Sequence, residues 1–134
     1  MLHLEIVTPE KTAYTGDVDS VVIPATNGEM EVLPGHVPLL TMLQPGHLQT
    51  NRDGQRDMLA IGGGFVKITA DRVVILTDVA LTEDQINEVS VEEAIARAQQ
   101  ALQEKVSPDE EAALRAGIQK SLAQLSLKRR KPPR

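Results

Sequence analysis

The chain has 134 residues, enough for one ordinary domain or a small domain with an appendage, and its 41% apolar and 25% charged residues make a globular rather than a disordered composition. One Tyr, one Phe and no Trp argue against stacking surfaces such as sugar platforms or single-strand nucleic-acid grooves, and the lack of Cys excludes disulfides, a thiolate nucleophile and a Cys-ligated metal. The net charge of −5 lies on residues 1–81, where Lys11, Arg52, Arg56, Lys67 and Arg72 meet ten acids, while residues 82–134 balance nine bases against nine acids and crowd Lys128, Arg129, Arg130, Lys131 and Arg134 at the end.

Leu2, Leu4 and Ile6 alternate with His3 and Glu5, the period of a half-buried strand, and Thr8-Pro9-Glu10-Lys11 reads as a turn. Asp19 to Ala25 is rich in β-branched residues, and Asn27-Gly28 follows as a hairpin signal. Glu29-Met30-Glu31-Val32-Leu33 alternates again; Pro34-Gly35 and Pro45-Gly46 close the next two segments. Asp53-Gly54 joins His47–Arg52 to Gln55–Ile61 as a second hairpin. Phe65, Val66, Ile68 and then Val73 to Leu81 supply the last strands, split by Ala70-Asp71-Arg72. Eight or more short strands with closely spaced turns predict an antiparallel sandwich or flattened barrel, its core filled by Val, Ile and Leu.

The second part predicts a helical hairpin. Ser90-Val91-Glu92-Glu93 has the form of a capping box, and Val91, Ala94, Ile95, Ala98, Ala101 and Leu102 recur at helical spacing up to about Lys105. Ser107-Pro108-Asp109-Glu110 repeats the start signal, and Leu114, Ile118, Leu122 and Leu125 form a second stripe. The short link favours an antiparallel pair, with Ala94, Ala98 and Ala101 facing Ala113, Gly117 and Ser121. Two such helices are marginal alone and must rest on another surface.

Candidate chemistry is sparse. His3, His36 and His47 lack the spacing of a zinc motif. Glu29 and Glu31 share one face of a strand, which reads as an exposed acidic edge rather than a glycosidase pair, since a sugar would find almost no aromatics there. Gly62-Gly63-Gly64 lacks the Lys-Ser/Thr of a phosphate loop and reads as a bulge or a close backbone approach. No Ser sits in a nucleophile elbow. The basic end is either a solvated terminus or a dock for an acidic protein surface. These features describe a regulatory or coupling module better than an enzyme. No apolar run approaches the roughly 18 residues of a membrane span, and no basic start followed by an apolar stretch suggests a signal peptide.

Several stretches together resemble the epsilon-subunit family of F-type ATP synthases. They are Leu4-Glu5-Ile6-Val7-Thr8-Pro9, the segment Gly28 to Thr41 with its Leu33-Pro34-Gly35-His36-Val37-Pro38-Leu39, Gly62-Gly63-Gly64-Phe65-Val66, and Val73-Val74-Ile75-Leu76-Thr77. The resemblance implies a sandwich of about ten strands over residues 1–82 and a C-terminal antiparallel helical hairpin over 83–134 that acts as a regulatory domain. It implies a non-catalytic central-stalk chain bound to the gamma subunit and seated on the c-subunit ring, coupling ring rotation to the catalytic head. Its location would be peripheral, on the cytoplasmic side of a bacterial inner membrane. Glu29, Glu31 and His36 match the segment that faces the ring, with Glu31 standing where the family usually has Gly. Arg115, Lys120, Lys128, Arg129 and Arg130 match the basic residues that meet the catalytic beta subunit when the helices extend and inhibit ATP hydrolysis. The family's nucleotide motif is degenerate at Ile86, Asn87, Ser90 and Val91: Asn87 replaces Asp, Ser90 replaces Arg and Val91 replaces Ala. No nucleotide site, metal or cofactor is expected. The alternatives are a free-standing ligand-binding sandwich, or an adaptor for an acidic partner.

Overall fold

Strict alternation at the start becomes β1 (Leu2–Val7), with Leu2, Leu4 and Ile6 fully buried, in a computed structural model that describes residues 1–129. The chain returns as β2 (Thr12–Val18) through a turn in which the Thr8 N–H donates to the Lys11 carbonyl at 2.9 Å. Then come β3 (Ser20–Ala25), β4 (Gly28–Val32), β5 (Leu39–Leu43), β6 (Gly46–Arg52), β7 (Gln55–Ile61), β8 (Gly64–Ile68), β9 (Arg72–Thr77) and β10 (Ala80–Thr82). The Asp53-Gly54 hairpin forms as expected, with Asp53 itself in the left-handed region at φ 51°. The other hairpin is displaced by one residue. Ala25 pairs with Gly28, so Thr26-Asn27 is the loop and Gly28 already belongs to β4.

Two layers of five strands result. One runs β4-β3-β6-β7-β10 and the other β5-β8-β9-β1-β2, joined where Ala25 of β3 pairs with Leu43 of β5. The β1–β9 pair is parallel, with Leu4 beside Val73 and Ile6 beside Ile75; the other pairs are antiparallel. The core between the layers is aliphatic: Leu4, Ile6, Val21, Ile23, Leu48, Ile61, Val66, Ile68, Val73 and Ile75 among others, each contributing about 1.5–3 kcal/mol by leaving water. Tyr14 only packs against it from the side.

A short 3-10 turn (Glu83–Gln85) leads into α1 (Glu88–Leu102) and α2 (Pro108–Lys128). The start of α1 corrects the expectation from Ser90. Asn87 is the N-cap, its side chain accepting from the Ser90 backbone N–H at 3.1 Å, and Ser90 lies inside the first turn. The reason is tertiary. Ile86 before the cap and Val91 four residues after it are both buried in one cluster, a hydrophobic staple that selects Asn87. The helix stops at Leu102, short of Lys105. The start of α2 is as expected: the Ser107 side chain accepts from the Glu110 N–H at 3.2 Å, Pro108 opens the first turn, and Asp109, Glu110 and Glu111 face the positive end of the helix dipole.

The helices pair, and Ala94, Ala98, Ala101 and Ser121 of the expected seam are half-buried, but Ala113 and Gly117 do not belong to a close contact. Ala113 is exposed, and a Cβ built on Gly117 would meet nothing within 4 Å, so the backbones do not close together there. The apolar stripe of α2 holds at Leu114, Ile118 and Leu125, fails at Leu122 and gains Leu127. Leu122 is 52% exposed, whereas Leu125 and Leu127 are buried. Two residues apart on a helix, these point to different sides, so the end of α2 is enclosed on both. They join Ala60, Ile86 and Val91 in a second apolar cluster, against Met58, Leu81 and Ile95. This explains three consecutive buried residues in β7: Leu59 and Ile61 face the sandwich core, and Ala60 faces the hairpin.

Candidate functional site

The proposed ring-facing residues do not form one cluster. Glu29 and Glu31 project together from β4, both exposed, while Met30 and Val32 turn inward. Glu29 also borders a cavity of about 380 Å³ with Pro24, Gln44 and His47 on the sandwich and Gln119, Leu122, Ala123 and Ser126 on α2. His36 lies past the opposite end of β4, in a turn whose N–H bonds to Leu33 O at 3.2 Å. Pro34 presets this turn and Gly35, at φ 84°, takes the conformation that a side chain would resist. The Gly35 N–H donates to Ala70 O at 2.7 Å, pinning the turn to the β8–β9 connection. The imidazole of His36 donates through Nδ1 to Val37 O at 2.6 Å.

The basic residues of α2 are engaged within the chain. Arg115 pairs with Glu111 one turn back at 2.9 Å. Lys120 donates to Asp78 in the β9–β10 connection. Lys128 donates to the Glu83 carbonyl at 3.3 Å, and Arg129 reaches across to α1, bonding Glu92 and lying 3.6 Å from Glu88. Arg130, the fifth of this set, lies outside the described residues, as do Lys131 and Arg134. The degenerate nucleotide stretch has structural duties: Asn87 and Ser90 make the cap, and Ile86 and Val91 the staple.

Several contacts carry no local sequence signal. His47 donates through Nε2 to the Ala123 carbonyl of α2 at 2.7 Å, across 76 positions of chain. Asp78 meets Lys120 across 42 positions. Gly62 lies under that pair: a Cβ there would overlap Asp78 Oδ1 and sit 2.8 Å from Val79 Cγ1 and 2.9 Å from Lys120 Cε. The glycine run is thus a close approach, of the kind its position between two strands suggested. A further feature was legible in principle. Val66 and Ile68 point inward, so alternation alone sends Phe65 outward, where it is 50% exposed. In register beside it stand Met42 on β5 and Leu76 on β9, an apolar row across three strands. Val7, Pro9 and Gly64 continue it into an apolar groove of about 440 Å³. Among the described residues no group of three or more His, Asp or Glu side chains is placed to hold a metal, and no helix is long and apolar enough to cross a membrane.

The chain is thus a ten-stranded sandwich with a two-helix arm docked across one layer. The family description "ATP synthase, Delta/Epsilon chain, beta-sandwich domain" matches residues 1–83. An ATP synthase epsilon chain of Dehalococcoides mccartyi is 38% identical over 135 residues, covering 98% of this chain and 96% of that one. The epsilon chain of Chloroflexus aggregans is 41% identical over 97 residues, covering 72% of this chain and 70% of its own length. In fold, a chain of the Euglena gracilis mitochondrial ATP synthase OSCP/F1/c-ring structure superposes with a TM-score of 0.77 at 22% identity, over 93% of this chain and 79% of that one. The chain belongs to the ATP synthase epsilon-chain family, a non-catalytic subunit of that complex.

Proposed function

We propose that this chain couples rotation to synthesis in the central stalk of an F-type, proton-translocating ATP synthase. Residues 1–82 act as the rotor-bound domain, and residues 83–134 as a regulatory domain whose helices inhibit ATP hydrolysis when they extend toward the alpha/beta head. The assembly sits at the cytoplasmic side of a bacterial inner membrane, with the chain peripheral to it.

The observation that carries this reading is the apolar row on the outward face of β5, β8 and β9. Met42, Phe65 and Leu76 are 53%, 50% and 52% exposed and stand side by side. A contiguous apolar strip on a solvent-facing sheet is what a partner covers. We assign it to the gamma subunit. The c ring then meets the β4 edge and the following turn, where Glu29, Glu31 and His36 offer acidic and imidazole groups to basic loops. Arg115, Lys120, Lys128, Arg129 and Arg130 are the groups offered to acids of the beta subunit in the extended state. The loss of Arg at Ser90 leaves the Ile86–Val91 stretch without a cationic partner for phosphate, so no nucleotide site is assigned there.

Co-purification tests the assignment. The intact chain should pull down the gamma subunit, and Phe65→Asp, whose outward position leaves the core intact, should lose at least ten-fold of that binding while its melting temperature stays put. An intact chain that ignores gamma, or a Phe65→Asp variant that binds it normally, overturns the reading.

A further inference from the structure

The polar contacts from the hairpin to the sandwich gather on the second half of α2. Lys120 reaches Asp78 between β9 and β10, and the Ala123 carbonyl receives His47 from β6. Asp78 is an unusual acceptor because of what lies beneath it. Gly62 has no Cβ, and only that absence lets the Asp78 carboxylate and the Lys120 methylenes settle on the backbone. The two side chains are 51% and 31% exposed, so the pair remains open to ions and to competing charges.

We infer that Asp78, seated on Gly62, is a keeper that adds to the apolar cluster and the His47 bond in holding α2 on the sandwich by occupying Lys120, and that release of the hairpin is favoured when Lys120 changes partners. This deepens the function proposed above and rests on it in one respect: the new partner is an acid of the catalytic head. One lysine then serves both states, and the two ends of the exchange are separable by mutation. Removing Asp78 loosens the docked state and leaves the lysine available. Removing Lys120 loosens the docked state and also strips the extended one of a contact. Gly62→Ala acts like the loss of Asp78, because the added methyl meets the movable tips of Asp78 and Lys120 as well as Val79, rather than backbone.

Amide hydrogen exchange on the full chain reads the docked state directly, since exchange in residues 118–129 reports opening of that end of α2. An exposed pair of this kind is worth up to a five-fold change in opening, and it weakens with salt. Asp78→Asn is therefore expected to speed exchange in residues 118–129 by about two- to five-fold, with residues 56–61 of β7 unchanged and with the salt response of the natural chain reduced. The double variant Asp78→Asn with Lys120→Gln should be no faster than Asp78→Asn alone. Glu5→Gln, which removes the partner of Arg72 on the far layer, should change nothing there. Unaltered exchange in Asp78→Asn, additive effects in the double variant, or equal acceleration in β7 each overturn the keeper. ATP hydrolysis by the assembled synthase separates the docking role of Asp78 from the inhibitory role of the hairpin. Asp78→Asn should deepen inhibition and Lys120→Gln relieve it. Exchange that changes as stated while hydrolysis ignores both variants keeps Asp78 as keeper and removes the inhibitory role of the hairpin instead.

Discussion

Gly62 and Gly64 are two positions apart and constrain the chain in opposite ways. What crowds Gly62 includes two side-chain tips that can swing aside. What crowds Gly64 is backbone: at φ 147°, a Cβ would overlap the Leu76 carbonyl and come within 2.9 Å of its carbon. Gly64→Ala should thus cost the sandwich more than about 2 kcal/mol, from backbone strain together with a clash that cannot relax. Chemical denaturation of the full chain measures it, and a Gly64→Ala protein as stable as the natural one would show that β8 and β9 separate more easily than their register implies. The sequence announced that three glycines between strands mean close approach, but not which neighbour each approaches. That depends on β9 lying beside β8 and on α2 lying over the β9–β10 connection, neither of which is encoded near residues 62–64. The same limit hid His47 and Asp78. Each is an ordinary polar residue beside a turn until a helix from the other end of the chain is laid against it.

The strands were legible because their signals are local. Alternation at Leu2–Ile6 and Val66–Ile68 and turn residues at Thr8–Lys11 and Asp53-Gly54 fix direction and length without help from the rest of the fold. The first helix was less so, since its most visible start signal lies three residues past the true cap. Ser90 with Glu93 has the form of a capping box, and Asn87 has only itself. Burial of Ile86 and Val91 in the same apolar cluster decides for Asn87, and burial is not a local property. The consequence is a pair of contrasting substitutions. Asn87→Ala removes the side chain that accepts from the Ser90 N–H and should cost about 1 kcal/mol, while Ser90→Ala, which keeps that N–H, should change stability by less than about 0.5 kcal/mol. Thermal melts of the two variants decide it. The reverse ranking would return the cap to Ser90. In α2 the departure from the stripe has a similar origin: Leu127 is buried in the cluster that holds Ala60, Met58 and Leu81 of the sandwich, whereas Leu122 only borders the open cavity beside Pro24 and His47.

How the two parts of the chain depend on each other follows from their separate cores. The cluster between the sandwich layers draws on β1 to β10 and takes nothing from the helices, whereas the second cluster needs Ala60, Met58 and Leu81 from the sandwich to bury Leu125 and Leu127. Dependence is therefore one-sided. Cut at Thr82, the sandwich keeps its core and its ladders, including the parallel β1–β9 pair, which closes about 65 residues of chain and which no pattern in the sequence disclosed. What it loses is the cover over Ala60 and the outer side of β7. A helix pair cut free has an exposed Leu125, a weak apolar seam and no surface to rest on, and isolated helices of this length are marginal in water. The expected outcome is a fragment 1–82 that melts cooperatively with a β-type circular dichroism spectrum, a few degrees below the full chain, and a fragment 83–134 whose helical signal is less than half that of its share in the intact protein. A sandwich fragment that fails to fold would mean that the hairpin is part of the pedestal it rests on, and the idea of an arm that leaves and returns would then have to be abandoned, because its departure would dissolve the body to which it must come back.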